Sequence, residues 1–318
     1  MKAYTLLLGL VLTSSFAHAT TVSSCDRQLN FTKPPERAVS HDINLTEMMF
    51  ALGLQDRMVG YSGISGYLKL TDKFKQQAGN LPQLAEKTPS IENLLAVNAD
   101  FFFAGWNYGM RPGGPLTPHT LKPFDISVYE LTESCIHIMS KKAANFSDVY
   151  NDLLNLGTIF GVEEKAKSLV ESLKAEIADI ASITANKEKP VSVFLYDSGQ
   201  DAPFTAGAFA IPNAMIEAAG GVNIVNDLPS SWAKTNWETV AERNPEVIVI
   251  VDYGKTTAAQ KIAFLQQHPG LSHVSAIKNQ RFVTIDYAEA TPGIKNVAAT
   301  RKLAEAFHPA LFRSKPER

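Results

Sequence analysis

Apolar positions along the chain change period at mid-length and then return. In the first half, short apolar runs alternate with segments of helical spacing. Arg37-Ala38-Val39-Ser40 reads as a strand, and Leu45, Met48, Met49 and Leu52 follow at helical intervals, with Gly53 ending that helix. Met58 to Tyr61, Asp100 to Ala104 and Ser127 to Leu131 read as further strands, and Ser90 reads as the N-cap of a short helix. Strand and helix in alternation imply a parallel sheet with helices on its faces.

Two helical segments interrupt this rhythm, Ser147 to Phe160 and then about Val162 to Asn186. In the second, Val162, Ala166, Leu169, Leu173, Ile177 and Ile180 advance by threes and fours, and Pro190 lies just beyond the end. At the helical rise it would extend roughly 36 Å, the width of a lobe. Its place between two alternating halves makes it an inter-lobe spine. Afterwards Val191 to Tyr196, Val247 to Val251 and Arg281 to Ile285 read as strands among helices near 213–219, 235–243, 257–267 and 294–307. The expected fold is α/β: two lobes, each with a mainly parallel sheet flanked by helices, joined by one long α-helix. The expected divisions are 1–19, 20–161, 162–187 and 188–318.

Residues 1–19 have the form of a secretory leader. Lys2 is followed by the apolar stretch Leu6 to Leu12, and Ala17-His18-Ala19 fits the small-x-small cleavage pattern. The chain is therefore expected in the periplasm as a soluble protein. Val22-Ser23-Ser24-Cys25 loosely imitates a lipoprotein box, but polar residues His18 to Thr21 separate it from the apolar stretch. In an oxidising compartment the only two cysteines, Cys25 and Cys135, are expected to pair, tying a loose N-terminal arm to the first lobe. Lipidation of Cys25 would instead leave Cys135 alone.

Composition narrows the function classes. Of 318 residues, 45% are apolar and 19% charged, a globular balance. With 30 basic against 32 acidic residues and no basic block, nucleic acid is not an expected partner. Gly63-Ile64-Ser65-Gly66-Tyr67 fails the nucleophile-elbow pattern at its last position, and neither a P-loop nor H-E-x-x-H occurs. No catalytic residue, cofactor or resident metal is expected, and the chain does not read as an enzyme.

What gathers at strand ends is aromatic and polar, and parallel sheets bind ligands outside the carboxyl ends of their strands. In the first lobe the candidates for the cleft are His41, Asp42, Tyr61, Trp106, Asn107, Tyr108, Arg111 and Glu133. In the second they are Tyr196, Phe204, Trp232, Tyr253 and Tyr287. Such a lining suits a bulky, partly apolar ligand. Each has a structural alternative: Trp106 and Tyr108 as packed loop aromatics, His41 as a hydrogen-bonded core histidine, Arg111 as a surface charge beside a Pro-Gly turn. Trp237, inside a helical segment, is the better core candidate.

Several stretches resemble the substrate-binding proteins of ABC importers for iron–siderophore complexes, haem and cobalamin. They are Pro35-Glu36-Arg37-Ala38-Val39-Ser40, Ser90-Ile91-Glu92-Asn93-Leu94 through Asp100, Trp237-Glu238-Thr239-Val240, Asn244-Pro245-Glu246-Val247-Ile248, Pro203-Phe204-Thr205-Ala206-Gly207 and Ala219-Gly220-Gly221-Val222-Asn223. Asn98-Ala99 replaces the usual Lys-Pro before Asp100. The resemblance implies capture of a metal chelate or corrinoid between the lobes and delivery to an ABC permease dimer, with little hinge motion. It also implies that Glu92 and Glu238, one per lobe, meet arginines of the permease. A subset of the family carries cysteines placed like Cys25 and Cys135. Two other readings remain: a bare transition-metal-ion carrier using His41, Glu133 and Asp286, and an exported hydrolase.

Overall fold

The structure is a computed structural model that describes residues 19–65, 68, 70–141, 143–185 and 189–312. The expected leader, apart from Ala19, and the last residues of the expected spine lie outside the described residues. The chain opens with an antiparallel hairpin, β1 (Thr20–Ser24) and β2 (Arg27–Phe31), turning at Cys25 and Asp26. The first sheet follows, built from β3 (Ala38–His41), β4 (Met58–Ser62), β5 (Gln83–Ala85), β6 (Phe101–Trp106), β7 (Gly109–Met110) and β8 (Ser127–Glu130). Its order is β5-β4-β3-β6, with β8 beside β6 and β7 pairing with the last two residues of β6, all parallel.

β6 explains the layers. All six of its residues are buried, as a central parallel strand covered on both faces requires. Alternate side chains point to opposite faces. Phe101 and Phe103 join Leu45, Met48, Leu153 and Phe160 in one core, while Phe102, Ala104 and Trp106 join Leu94, Leu121 and Val128 in another. The first core lies under the helices Ile43–Ala51 and Phe146–Phe160.

The second sheet comprises β9 (Val191–Tyr196), β11 (Gly221–Asn223), β13 (Val247–Asp252) and β14 (Phe282–Asp286), parallel in the order β11-β9-β13-β14. A separate antiparallel ribbon pairs β10 (Phe204–Ala206) with β12 (Trp232–Lys234). Cores again cover both faces: Val193, Leu195 and Val249 pack on one side, and Phe194, Tyr196, Ile250 and Trp237 on the other.

One helix, Glu163–Thr184, runs between the two sheets in sequence and belongs to both cores. Its buried Ala166 and Val170 enter the first lobe's core, and Ile180 enters the second's. Its 22 residues extend about 33 Å. At its start it lies so close to the preceding helix that a Cβ at Gly157 would meet the Ala166 methyl at 2.4 Å. Near its other end Arg301 holds it through Glu176 and Asp179, at 3.2 and 2.7 Å.

The N-terminal arm is tied to the first lobe, as the cysteine pairing predicts. The Cys25–Cys135 disulfide closes with Cα atoms 5.3 Å apart. The hairpin is further held by Glu130, which is buried and accepts from Ser24 Oγ (2.9 Å) and Arg27 Nη2 (2.6 Å).

Candidate functional site

Loops at the carboxyl ends of both sheets face each other across a cleft of about 380 Å³. Asn107, Tyr108 and Arg111 come from the turn and loop around β7, and Glu133 and His137 from the short 3-10 helix after β8. From the second lobe come Asp197 after β9, Phe204, Ser231 and Trp232 at the ribbon, Tyr253 after β13, and Tyr287 and Thr291 after β14. Parallel strands leave their carboxyl ends on one rim, which is why residues so far apart in sequence converge.

Aromatic rings make up much of the wall. Phe204 and Trp232 are opposite partners' near neighbours on the β10–β12 ribbon and stack at 5.9 Å with planes 22° apart. Tyr253 and Tyr287 lie 5.5 Å apart. The Tyr253 hydroxyl donates to Asp197 Oδ2 at 2.6 Å, and behind that ring Lys261 Nζ lies 4.7 Å from the centroid. Arg111 sits exposed at the mouth.

Two carboxyls bond across the lobes. Tyr287 donates to Asp42 Oδ2 at 2.6 Å, and Ser231 Oγ donates to Glu133 Oε1 at 3.0 Å. Asp42 caps the helix Ile43–Ala51 with φ +70°, accepting from the Ile43 amide. Burial pushes its carboxyl up to about 6, against the hydrogen bonds from Tyr287 and Ile43 that favour the charged form. Glu133 is 2% exposed, and burial pushes it up to about 7. Its second oxygen, Oε2, is buried with no hydrogen-bond partner. Burial also raises the Tyr108 hydroxyl well above its ordinary value, with the Glu133 and Asp42 charges adding to it. Further inter-lobe links are Asn44 Nδ2 to the Pro292 carbonyl (2.7 Å) and Lys295 to Glu47 (2.7 Å).

Of the thirteen cleft candidates, Asn107, Tyr108, Arg111, Glu133, Phe204, Trp232, Tyr253 and Tyr287 line the cavity. The other five lie elsewhere. Trp106 shares strand phase with Phe102 and Ala104, so it points into the core on the far face, where its Nε1–H donates to Glu130 Oε1 at 3.0 Å. Tyr196 follows Phe194 onto the face away from the cleft and packs on Trp237 at 5.4 Å. Tyr61 packs edge-on against Phe74 at 5.8 Å. Asp42 reaches the site only through Tyr287. His41 lies buried beside Gly63 and Gly109, where a Cβ on either glycine would strike the imidazole at 2.5 or 2.6 Å. Burial lowers its pKa to about 4, so the ring is neutral, with Nδ1 3.0 Å from Ser62 Oγ.

The cavity also includes residues that sequence reasoning passed over: His137, Asp197, Ser231 and Thr291. His137, exposed at the rim and lowered in pKa by partial desolvation, has Nε2 3.1 Å from Asn107 Nδ2. Asp197 is the immediate neighbour of Tyr196, and the phase of β9 assigns it to the opposite side. For His137 and Ser231 no signal beyond proximity to Glu133 and Trp232 was present.

His41, Glu133 and Asp286 are not brought together. Among the described residues no group of three His, Cys, Asp or Glu side chains could hold a metal ion, and Asp286 instead caps the helix Tyr287–Ala290. Glu92 and Glu238 stand exposed in the first turns of the helices Ile91–Ala96 and Trp237–Arg243, away from the cavity. Ser90 and Asn236 cap those helices, and the Ser90 hydroxyl and local backbone lower the Glu92 pKa. Among the described residues no helix is long and apolar enough to cross a membrane.

Comparison with known proteins agrees with this architecture. The chain is 24% identical over 292 residues to YvrC, an uncharacterised ABC transporter substrate-binding lipoprotein of Bacillus subtilis, covering 91% of this chain and 85% of that protein. It is 24% identical over 278 residues to a cobalamin-binding protein of Halobacterium salinarum, covering 86% of this chain and 70% of the other. The crystal structure of a periplasmic binding protein from Veillonella parvula superposes with a TM-score of 0.80 at 27% identity, covering 92% of this chain and 98% of that one. Residues 39–288 match the periplasmic binding protein family as a whole. With two lobes, a continuous linking helix and a rim-lined cleft, the chain belongs to the periplasmic binding protein family.

Proposed function

We propose that this protein captures a metal chelate or corrinoid between its lobes and delivers it to an ABC importer. The observation that carries the reading is the aromatic wall drawn from both lobes, Tyr108 on one side and Phe204, Trp232, Tyr253 and Tyr287 on the other. Flat, polarisable rings suit a ligand with a large apolar perimeter and a few polar groups. Relatives described as an ABC substrate-binding lipoprotein and as a cobalamin-binding protein support that class. The leader-like residues 1–19 and the bridged Cys25 support a soluble periplasmic form without a lipid anchor. Relatives described as binding proteins support binding rather than turnover as the role of the cleft.

The wall also supplies the test. In titrations with corrinoids, ferric hydroxamates and haem, Trp232→Ala should weaken binding by roughly 1–3 kcal/mol, since truncated aromatic anchors cost that much. Trp106→Ala should lower the melting temperature without a comparable loss of affinity in the surviving folded fraction. Unchanged affinity in a folded Trp232→Ala protein would remove the aromatic wall from the binding site. Native mass spectrometry of protein taken from the periplasm should reveal a bound chelate, and a lone metal ion there would overturn the chelate reading.

A further inference from the structure

We infer that Glu133 selects the ligand: its unpartnered Oε2 takes a hydrogen bond from an N–H, O–H or ammonium group, so the cleft prefers neutral or cationic donor-bearing chelates over polyanionic ones. This rests on the solute-binding reading above and names the chemistry of that ligand.

Three observations lead there. Glu133 is 2% exposed yet lines the cavity, so its carboxyl belongs to the cleft and to no solvent-facing surface. Ser231 Oγ, from the opposite lobe, already donates to Oε1 at 3.0 Å, which fixes the plane of the carboxyl and leaves Oε2 as the open acceptor. Oε2 is buried and makes no hydrogen bond. A buried acceptor without a donor is costly, and the structure holds it at the one place where a ligand can supply the donor.

The charge inventory of the wall points the same way. Glu133 and Asp197 are both carboxyls on the cavity; Arg111 is exposed at its mouth, and the Lys261 ammonium acts on Asp197 from behind the Tyr253 ring. His137 is held toward its neutral form by partial desolvation. Lys141, whose charge acts on Glu133, is engaged with Asp148 at 2.6 Å. A ligand bearing several carboxylates or catecholates would meet two buried carboxyl groups, whose ionised forms repel it, and one solvent-screened guanidinium on the cavity wall. A ligand edged with carboxamides, or carrying an ammonium group, would meet acceptors.

Binding of four probes to the full mature chain tests this, read by Trp fluorescence and calorimetry. Cyanocobalamin presents peripheral carboxamides and ferrioxamine B a pendant ammonium, whereas ferric enterobactin is a polyanionic catecholate and haem carries two propionates. One of the first two should bind at least tenfold tighter than either polyanion, and Glu133→Gln should weaken that binding about tenfold or more while the melting curve shows a folded protein. If Glu133→Gln fails to fold, Ser231→Ala serves instead. It frees the carboxyl to rotate, and a severalfold loss of affinity for the same probe is expected. Tightest binding of a polyanion, or unchanged affinity in the folded variant, would overturn the inference and leave the solute-binding reading standing. Binding of none of the four, with no chelate carried from the periplasm, would overturn that reading and this inference together.

Discussion

Glu133 and Trp106 illustrate how much a single position depends on the face it occupies. Glu133 is buried with a carboxyl pushed up to about 7 from an ordinary 4.5, desolvation outweighing the Ser231 bond. A raised carboxyl pKa means that the folded state holds the proton more tightly than the unfolded chain. Its contribution to stability is therefore complete below about 4.5 and is lost as pH rises through about 7. Urea melts of the unliganded protein and of Glu133→Gln, taken from pH 4.5 to 8, should diverge. The wild type should lose on the order of 3 kcal/mol relative to the glutamine variant over that range. Asp42 and His41 also titrate differently in the folded state, but both proteins share them and the difference cancels their share. Parallel pH profiles would mean that Glu133 is already ionised in the fold. Trp106, by contrast, was readable as a core residue from phase alone. Phe102, Ala104 and Trp106 are two apart, and a strand sends such residues to one face. Residue type and strand-end position drew attention to it, while the phase pointed away from the cleft. The same logic separates Tyr196 from Asp197. What no phase argument could reach is Ser231 meeting Glu133, because that contact joins positions 98 apart on different lobes.

At the scale of elements, the apolar runs were legible, and the polar or three-residue strands were not. Strands buried on both faces declare themselves as unbroken apolar stretches, as Phe101–Trp106 and Val247–Asp252 do. The spine was legible because its apolar stripe continues across both cores. The opening hairpin was not, because Thr20–Ser24 and Arg27–Phe31 are mixed and polar, and Cys25-Asp26 lacks the Asn-Gly signature of a two-residue turn. Cys25 nonetheless takes φ +50°, held there by tertiary bonds. The ribbon of Phe204–Ala206 and Trp232–Lys234, three residues a side, carries too little pattern to detect. The hairpin's attachment can be measured. Replacing Cys25 and Cys135 together by serine opens a loop of 110 residues and should cost about 2–5 kcal/mol in denaturant melts of oxidised protein. Glu130, with its bonds to Ser24, Arg27 and Trp106, should keep the hairpin docked, so protease cleavage near Thr20–Phe31 should increase sharply only when Glu130→Ala is added. Cleavage at full rate in the double-serine protein would show the disulfide to be the sole tether.

For the whole molecule, we propose that the exposed acids Glu92 and Glu238 serve delivery rather than capture. Glu92 and Glu238 stand in matching places, each one residue inside a capped short helix and each exposed. An acid in the first turn is favoured by the helix dipole, a sufficient reason for either to be there. Carboxylates facing permease arginines would add paired hydrogen bonds in a fixed plane. Replacing both by alanine should leave ligand affinity and melting temperature nearly unchanged while abolishing uptake in cells or reconstituted vesicles. Charge reversal to lysine should do at least as much damage. Normal uptake by the double-alanine protein would reduce the two acids to helix-start residues.

The chain passes from one sheet to the other along a single helix, and both half-cystines precede it. Everything needed to close the Cys25–Cys135 bond is therefore made before any strand of the second sheet. In an exported chain the amino-terminal half could be oxidised and packed while the carboxyl-terminal half is still being threaded out, since domains emerge and fold in order. In that order the second lobe would fold against a first lobe already closed, and the cleft would form last.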